Sequence, residues 1–280
     1  MKDFKIGLQL YSVKNALNAD FEGTLRKVKG IGYDYVEFAG NYGEKSAEEL
    51  KKLLDDIGLE CISVHQGIDL FKEQGEKFVK FITDIGAEYS VIPWWPAELG
   101  YGTENWKDTE EKFRWLGGLV KAGGLKFLYH NHDFEFANTF DGKVGYDCMM
   151  DALKGVMDPE LDTCWIHYAG YDPAEYIRKY KGRAEIIHLK DFFCKKLGGG
   201  PVYALIDSKG GEATKASTKE DNGFEYRPLG MGMQDFDSII AACEDVDAKY
   251  LVVEQDDTVG RTELEAVEIS RKFLKDKYGL

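Results

Sequence analysis

Two hydrophobic periods alternate along this chain from end to end. Short apolar runs at 5–10, 35–38, 61–65, 89–92, 126–130, 161–166, 185–189 and 250–254 predict strands. Between them, apolar residues recur every three to four positions and predict helices over 21–31, 46–57, 70–85, 109–122, 146–153, 173–180, 236–241 and 263–274. Punctuation supports both sets. Gly30, Gly32, Gly58, Gly86, Gly123 and Gly124 follow helical stretches, where a left-handed cap leads into the next strand, and Ser46 with Glu49 forms a capping box. Eight strands and eight helices in alternation predict an α/β protein of the (β/α)8 TIM-barrel type, in one domain spanning 1–280. An open doubly wound sheet is the rival, but no GxGxxG or GxxxxGK[ST] follows any strand, which removes support from its nucleotide-binding forms.

One segment interrupts the rhythm. From 194 to 229, after the seventh strand, the chain is rich in Gly, Lys, Ser and Thr. An insertion of that length reads as a lid or a partner contact, with a mobile excursion as the alternative.

With 44% hydrophobic and 13% aromatic residues, the 280-residue chain can bury a large core, and no stretch is long and apolar enough to span a bilayer. The N-terminus runs into a strand without the features of a secretory signal, so a cytoplasmic protein is expected. The five cysteines are scattered without a CxxC, and Cys61 and Cys164 read as reduced core residues. A formal net charge of −14 argues against nucleic acid, whose phosphates need concentrated Lys and Arg.

The chemistry collects where strands end. Asp162, His188 and Glu254 end the sixth, seventh and eighth strands, which are neighbours on the rim of a closed barrel. Mixed carboxylate and imidazole ligands suit one divalent metal ion, with Mn first and Mg, Co, Zn or Fe also compatible. Taken singly, Asp162 would read as a helix cap. Lys190 shares a strand face with His188 and could hold a substrate oxygen or stabilise an enolate; the plainer reading is a salt bridge to Asp191 or Glu254. The fifth strand exits through His130-Asn131-His132-Asp133-Phe134-Glu135. Here one imidazole could bind metal while the other acts as a base, and Glu135 would have to fold back to reach the metal.

Earlier strands end on Gln9, Tyr11 and Ser12, on Glu37, on His65 and Gln66, and on Trp94 and Trp95. Polar groups interleaved with aromatic faces suit a sugar, so Gln9, Tyr11, His65, Trp94, Trp95 and, beside Glu254, Gln255 are candidate substrate contacts. Trp106 and Trp115 read as packing residues, and His167 as structural.

At these residues the sequence resembles the xylose isomerase-like TIM-barrel superfamily of sugar phosphate isomerases and epimerases. The resemblance runs through the Leu-Gln-Leu-Tyr-Ser start, Tyr129 to Phe136, Leu161-Asp162-Thr163, Gly182-Arg183 with His188-Leu-Lys-Asp191, and Val253-Glu254-Gln-Asp256. It implies a divalent metal held by Glu, Asp, His and Glu at the ends of strands five to eight. The last three fall on Asp162, His188 and Glu254; for the first, Glu135 is expected as ligand with His132 as base, and His130 is the alternate ligand. Pro228-Leu-Gly-Met231 departs from the Gly-Glu-Gly of many relatives, so Met231 cannot bond a substrate hydroxyl as that Glu could.

The shared chemistry implied is proton abstraction next to a carbonyl of an unphosphorylated keto sugar or polyol. Isomerisation or epimerisation is the first expectation, and elimination of a β-substituent, as in inosose dehydratases or C-glycoside-cleaving enzymes, is the second. A non-catalytic sugar-binding barrel is the reading from another class. A homo-oligomer or a small partner subunit engaging 194–229 is the partner expectation, with no nucleic acid and no membrane.

Overall fold

The computed structural model describes residues 4–198 and 222–280. Eight parallel strands close into a barrel: β1 (Lys5–Gln9), β2 (Tyr35–Ala39), β3 (Glu60–His65), β4 (Tyr89–Ile92), β5 (Lys126–His130), β6 (Asp158–Asp162), β7 (Ile186–Leu189) and β8 (Tyr250–Val253). β1 pairs with both β2 and β8, so the sheet has no free edge. The barrel is the predicted fold.

Strand alternation divides each strand between two environments. Outward side chains such as Leu8, Val36, Phe38, Val64, Tyr129, Leu161, Ile187, Leu189, Leu251 and Val253 join the main core under the helices. Inward positions fill a second cluster of Ile62, Tyr89, Val91, Leu128, Ile186, Tyr250 and Val252 at the N-terminal half of the barrel. Gly7 on β1 also faces this packing, where a Cβ would already lie 3.3 Å from both Ile62 and Val252. The inward positions then turn polar toward the C-terminal mouth: Leu128 is followed by His130, Ile186 by His188, and Val252 by Glu254. The chain therefore builds an apolar plug below and a charged layer above it.

Most helix boundaries fall within a few residues of those expected. The Ser46–Glu49 capping box opens the helix Ala47–Ile57. The helix expected over 70–85 is instead two, Ile68–Gln74 and Glu76–Asp84, because Gly75 takes a positive φ of 54° between them. Strand six is displaced: it covers Asp158–Asp162, not 161–166. Asp162 ends it by accepting the N–H groups of Cys164 and Trp165, which starts the helix Thr163–Tyr168 inside the apolar run that reads as a strand. Trp115, expected to pack, is exposed on the helix Trp106–Ala122, whereas Trp106 on the same helix packs on Tyr101.

Within the insertion, 199–221 lies outside the described residues, and with it most of the segment read as a lid or partner contact. On its two flanks, Asp191–Phe193 pairs antiparallel with Glu225–Arg227. The Asp191 carboxylate secures the return. It accepts from the backbone N–H groups of Gly230 (3.0 Å), Gly232 (2.9 Å), Gln234 (3.2 Å) and Phe192 (2.9 Å). Gly232 approaches so closely that a Cβ would lie 2.2 Å from Asp191 Oδ1. Asp191→Ala would strand these donors, and a stability loss of about 3 kcal/mol is expected, checked by urea unfolding with far-UV dichroism as the folding readout.

Candidate active site

The C-terminal mouth of the barrel opens into a cavity of about 300 Å³ lined by Tyr11, Ala39, Gly40, His65, Pro93, Trp94, His130, His132, Lys190, Glu254 and Asp256. A groove of about 840 Å³ around Phe21, Tyr42 and Phe78 is larger but holds none of the strand-exit groups, so size alone does not locate the chemistry.

Four side chains meet at the cavity floor. His130, Asp162, His188 and Glu254 are all buried, and one potential ligand atom from each lies within 4.8 Å of the others. His188 Nδ1 is 2.9 Å from Glu254 Oε2, and His130 Nε2 is 3.5 Å from Asp162 Oδ2 and 3.8 Å from Glu254 Oε2. Asp162 divides its labour. Oδ1 caps the following helix, which leaves Oδ2 buried and facing the cluster and Lys190. Two imidazoles with two carboxylates form a donor set suited to a divalent cation, and spacings near 3.5 Å match ligand atoms that each lie about 2.0–2.2 Å from one ion.

Asn131 holds β5 and β6 together above their last ladder bonds. Its Oδ1 accepts the Asp162 N–H (2.9 Å), and its Nδ2 donates to the Asp162 carbonyl (3.3 Å). The exposed-looking polar exit of β5 is thus a buried seam.

Lys190 lies above the four-residue cluster. Its ammonium is buried, 3.2 Å from Asp162 Oδ2, 3.0 Å from Glu254 Oε2 and 2.9 Å from Asp256 Oδ1, with the Trp165 and Tyr226 rings 5.2 and 5.6 Å away. Burial disfavours its charge, but Asp162, Asp256 and Glu254 outweigh burial and raise its pKa well above the usual lysine value. The salt bridge to Asp191 does not form; the bridge to Glu254 does. His132 behaves oppositely. Burial, with the His130 and Lys190 charges nearby, lowers its pKa well below the usual value, which favours the neutral ring. It lines the cavity and stacks on Phe134 at 5.7 Å.

Glu135 does not join the cluster. It sits on the short helical turn Phe134–Phe136, where Oε1 accepts from the Tyr129 hydroxyl (2.5 Å) and Oε2 from the His132 backbone N–H (2.8 Å). Its surroundings are a separate cavity with Trp95, Tyr101 and Phe140. The local reason is strand parity. Tyr129 points outward from the barrel, so a carboxylate bonded to its hydroxyl lies behind the wall, and inward-pointing His130 occupies the position beside Asp162.

The expected substrate contacts also separate. Trp94, His65 and the half-exposed Tyr11 line the cavity. Trp95 is turned into the core, donating to Thr109 Oγ1 (3.1 Å) and packing on Phe113. Gln9 lies below the cavity and donates to Glu37 Oε1 (2.7 Å), and Gln255 is buried with its amide on the Asp257 carbonyl. His167 contacts Gln234 Oε1 through Nδ1 (2.7 Å). Glu160 and Asp256 have roles that sequence reasoning did not assign, although each stands two residues from a recognised ligand candidate and so shares its strand face.

A model of the xylose isomerase-like TIM barrel matches residues 25–277, and the chain belongs to that family. It is 24% identical over 285 residues to an inosose dehydratase of Clostridium perfringens, covering 93% of this chain and 91% of that protein. An inosose dehydratase of Bacillus cereus is also 24% identical, with 93% and 90% covered. Among solved structures, a sugar phosphate isomerase/epimerase from Parabacteroides distasonis superposes with a TM-score of 0.75 at 24% identity, covering 99% of each chain. The zinc-bound IolI protein gives a TM-score of 0.68 at 15% identity, covering 98% of this chain and 97% of that one.

Glu135 generates a pH prediction. Burial raises its pKa to about 7, against the hydrogen bonds from Tyr129 and the His132 N–H. A carboxyl whose folded pKa lies above its unfolded value stabilises the fold fully only below the unfolded value, and that contribution is lost as pH rises through 7. Glu135→Gln should therefore gain on the wild type between pH 4.5 and 8, by about 3 kcal/mol at most, in paired denaturation curves.

Proposed function

We propose that this chain is a divalent-metal-dependent enzyme that removes a proton next to the carbonyl of an unphosphorylated keto-polyol or keto sugar and then eliminates the β-hydroxyl as water. The observation that carries this reading is the placement of His132 and Lys190 on the wall of one cavity, beside four residues suited to a metal. The curated relatives named inosose dehydratase span nearly the whole chain and support the same outcome.

His130, Asp162, His188 and Glu254 would hold the ion, which supplies Lewis acidity toward the substrate carbonyl. The zinc bound by the IolI protein, which shares this fold, supports a divalent cation. His132 takes the α-proton, and the electron pair of that C–H bond becomes the new C=C bond. The β C–O bond breaks, and the departing hydroxide gains a proton and leaves as water. Lys190 is positioned to supply that proton or to steady the oxygen charge. Glu254 is engaged by His188 and Lys190, which leaves the two nitrogen groups as the proton-transfer pair.

The carboxylates of Glu254 and Asp256 dominate the wall, and Lys190 is committed to them. That field opposes a phosphate dianion and suits a substrate carrying only hydroxyls. Trp94 offers a face for its C–H groups.

Epimerisation, the first expectation from sequence, is the second reading here. It uses the same abstraction and returns a proton to carbon, and the structural likeness to a sugar phosphate isomerase/epimerase favours it. The two outcomes separate in one experiment. Metal-loaded protein incubated with inosose and with ketohexoses in D₂O should give a dehydrated product by NMR; deuterium at the α-carbon with every hydroxyl retained would establish epimerisation instead. His132→Asn is expected to lower kcat by about 10²–10⁴-fold, and chelation of the metal to abolish turnover.

A further inference from the structure

Below the four-residue cluster lies a second layer of polar groups. Glu37, His65 and Glu160 are buried in the barrel interior, on β2, β3 and β6. His65 Nε2 lies 2.6 Å from Glu160 Oε2 and 3.0 Å from Glu37 Oε1. Glu37 is held in turn by Gln9 Nε2 (2.7 Å) and by the Ser63 hydroxyl.

The two layers share two rings. His130 presents Nε2 to Asp162 and Glu254 above, while Nδ1 lies 3.1 Å from Glu160 Oε2 below. His188 presents Nδ1 to Glu254 above, while Nε2 lies 2.8 Å from Glu37 Oε1 and 3.4 Å from Glu160 Oε2 below. The rings themselves pack: His65 stacks on His188 at 5.5 Å, and His130 meets His188 edge to face at 4.7 Å. An imidazole that binds metal through one nitrogen needs its other nitrogen directed at an acceptor, which fixes both tautomer and ring plane.

His65, His130, Glu160 and His188 could themselves surround an ion. Spacing argues against it. Ligand atoms around one cation at about 2.1 Å stand roughly 3.0–3.5 Å apart, whereas His65 and Glu160 meet at 2.6 Å, a hydrogen-bond length.

We infer that Glu37, His65 and Glu160 form a positioning layer that sets the ring orientation of His130 and His188, and that His65 serves this layer instead of the substrate. The inference rests on the upper cluster being the metal site. His65 bridges the two carboxylates, which lie on different walls of the barrel, so neither is left as an isolated buried charge. Each carboxylate then approaches the lower nitrogen of one ring. The upper nitrogens are thereby aimed at a common point before any ion arrives.

The test uses the full-length protein stripped of metal and titrated calorimetrically with Mn²⁺, with Co²⁺ absorption as a measure of coordination geometry. Wild type should bind one equivalent. Glu160→Gln and Glu37→Gln preserve shape and remove a buried charge, so both should fold, and each should bind Mn²⁺ about 10–100-fold more weakly with an altered Co²⁺ spectrum. His65→Gln should weaken metal binding likewise while leaving KM at saturating metal within about twofold of wild type. Wild type binding no metal would overturn the underlying metal-site reading. One equivalent bound equally well by wild type and both Gln variants would overturn the positioning layer alone. Two equivalents in wild type, falling to one in Glu160→Gln, would show instead that the lower layer is a metal site, and a raised KM with unchanged metal affinity in His65→Gln would return that residue to substrate binding.

Discussion

The ammonium of Lys190 is the interaction on which the rest of the site depends. Asp162 and Glu254, both buried, and the partly buried Asp256 converge from two strands on either side of β7 and from the loop beyond, and their mutual repulsion would be severe without a cation among them. Lysine is suited to the position because its compact charge reaches three oxygens from one stem. Burial is the first cause of the lowered His132 pKa, and the His130 and Lys190 charges add to it. One buried cation thus holds the carboxylates around it and adds to the burial that disfavours a charged imidazole across the cavity.

That placement follows from a closed barrel with a graded interior. Each strand delivers every second residue inward, and apolar positions give way to polar ones at a similar height on β5, β7 and β8. An open sheet would place the same residues along a line. Closure brings β2 and β6 near enough, through His65, to share a hydrogen-bonded layer. The apolar plug beneath keeps that layer from water, which strengthens each ionic contact above it.

Much of this was legible in the sequence because the relevant signals are local. Strand periodicity, the Ser46 capping box and the polar strand ends each depend on a few consecutive residues. Asp162, His188 and Glu254 could be grouped because neighbouring strands in a barrel end on one rim. Parity and register were harder. The apolar run 161–166 looks like a strand, yet the Asp162 side chain starts a helix within it, and this moves strand six back by three residues at its start. Glu135 fits a ligand pattern by type, but its position behind the barrel wall depends on a hydrogen bond to outward-facing Tyr129. The bridge of Glu37 and Glu160 through His65 joins residues 123 positions apart across a closed interior, and no local pattern carries such a pairing.

Formal charge explains how these parts constrain one another. Glu37, Glu160, Asp162 and Glu254, all buried, and the partly buried Asp256 bring five acidic groups together, against Lys190 and a His65 whose pKa, despite the burial that disfavours its charge, is raised to about 10 by Glu37 and Glu160. When His130 and His188 are neutral, as binding a metal requires, the interior remains anionic after Lys190 and His65 are counted. A dication at the upper cluster would offset most of that excess where the carboxylates are densest, so metal affinity and the tolerance of so many buried acids have the same origin. The residual negative field then acts on what enters. It opposes anions more than hydroxyl-bearing neutral molecules, and in the proposed reaction it would make proton removal costly except where a bound dication and Lys190 could absorb the new charge. The proposed chemistry would therefore be confined to one end of the cavity, between His132 and Lys190.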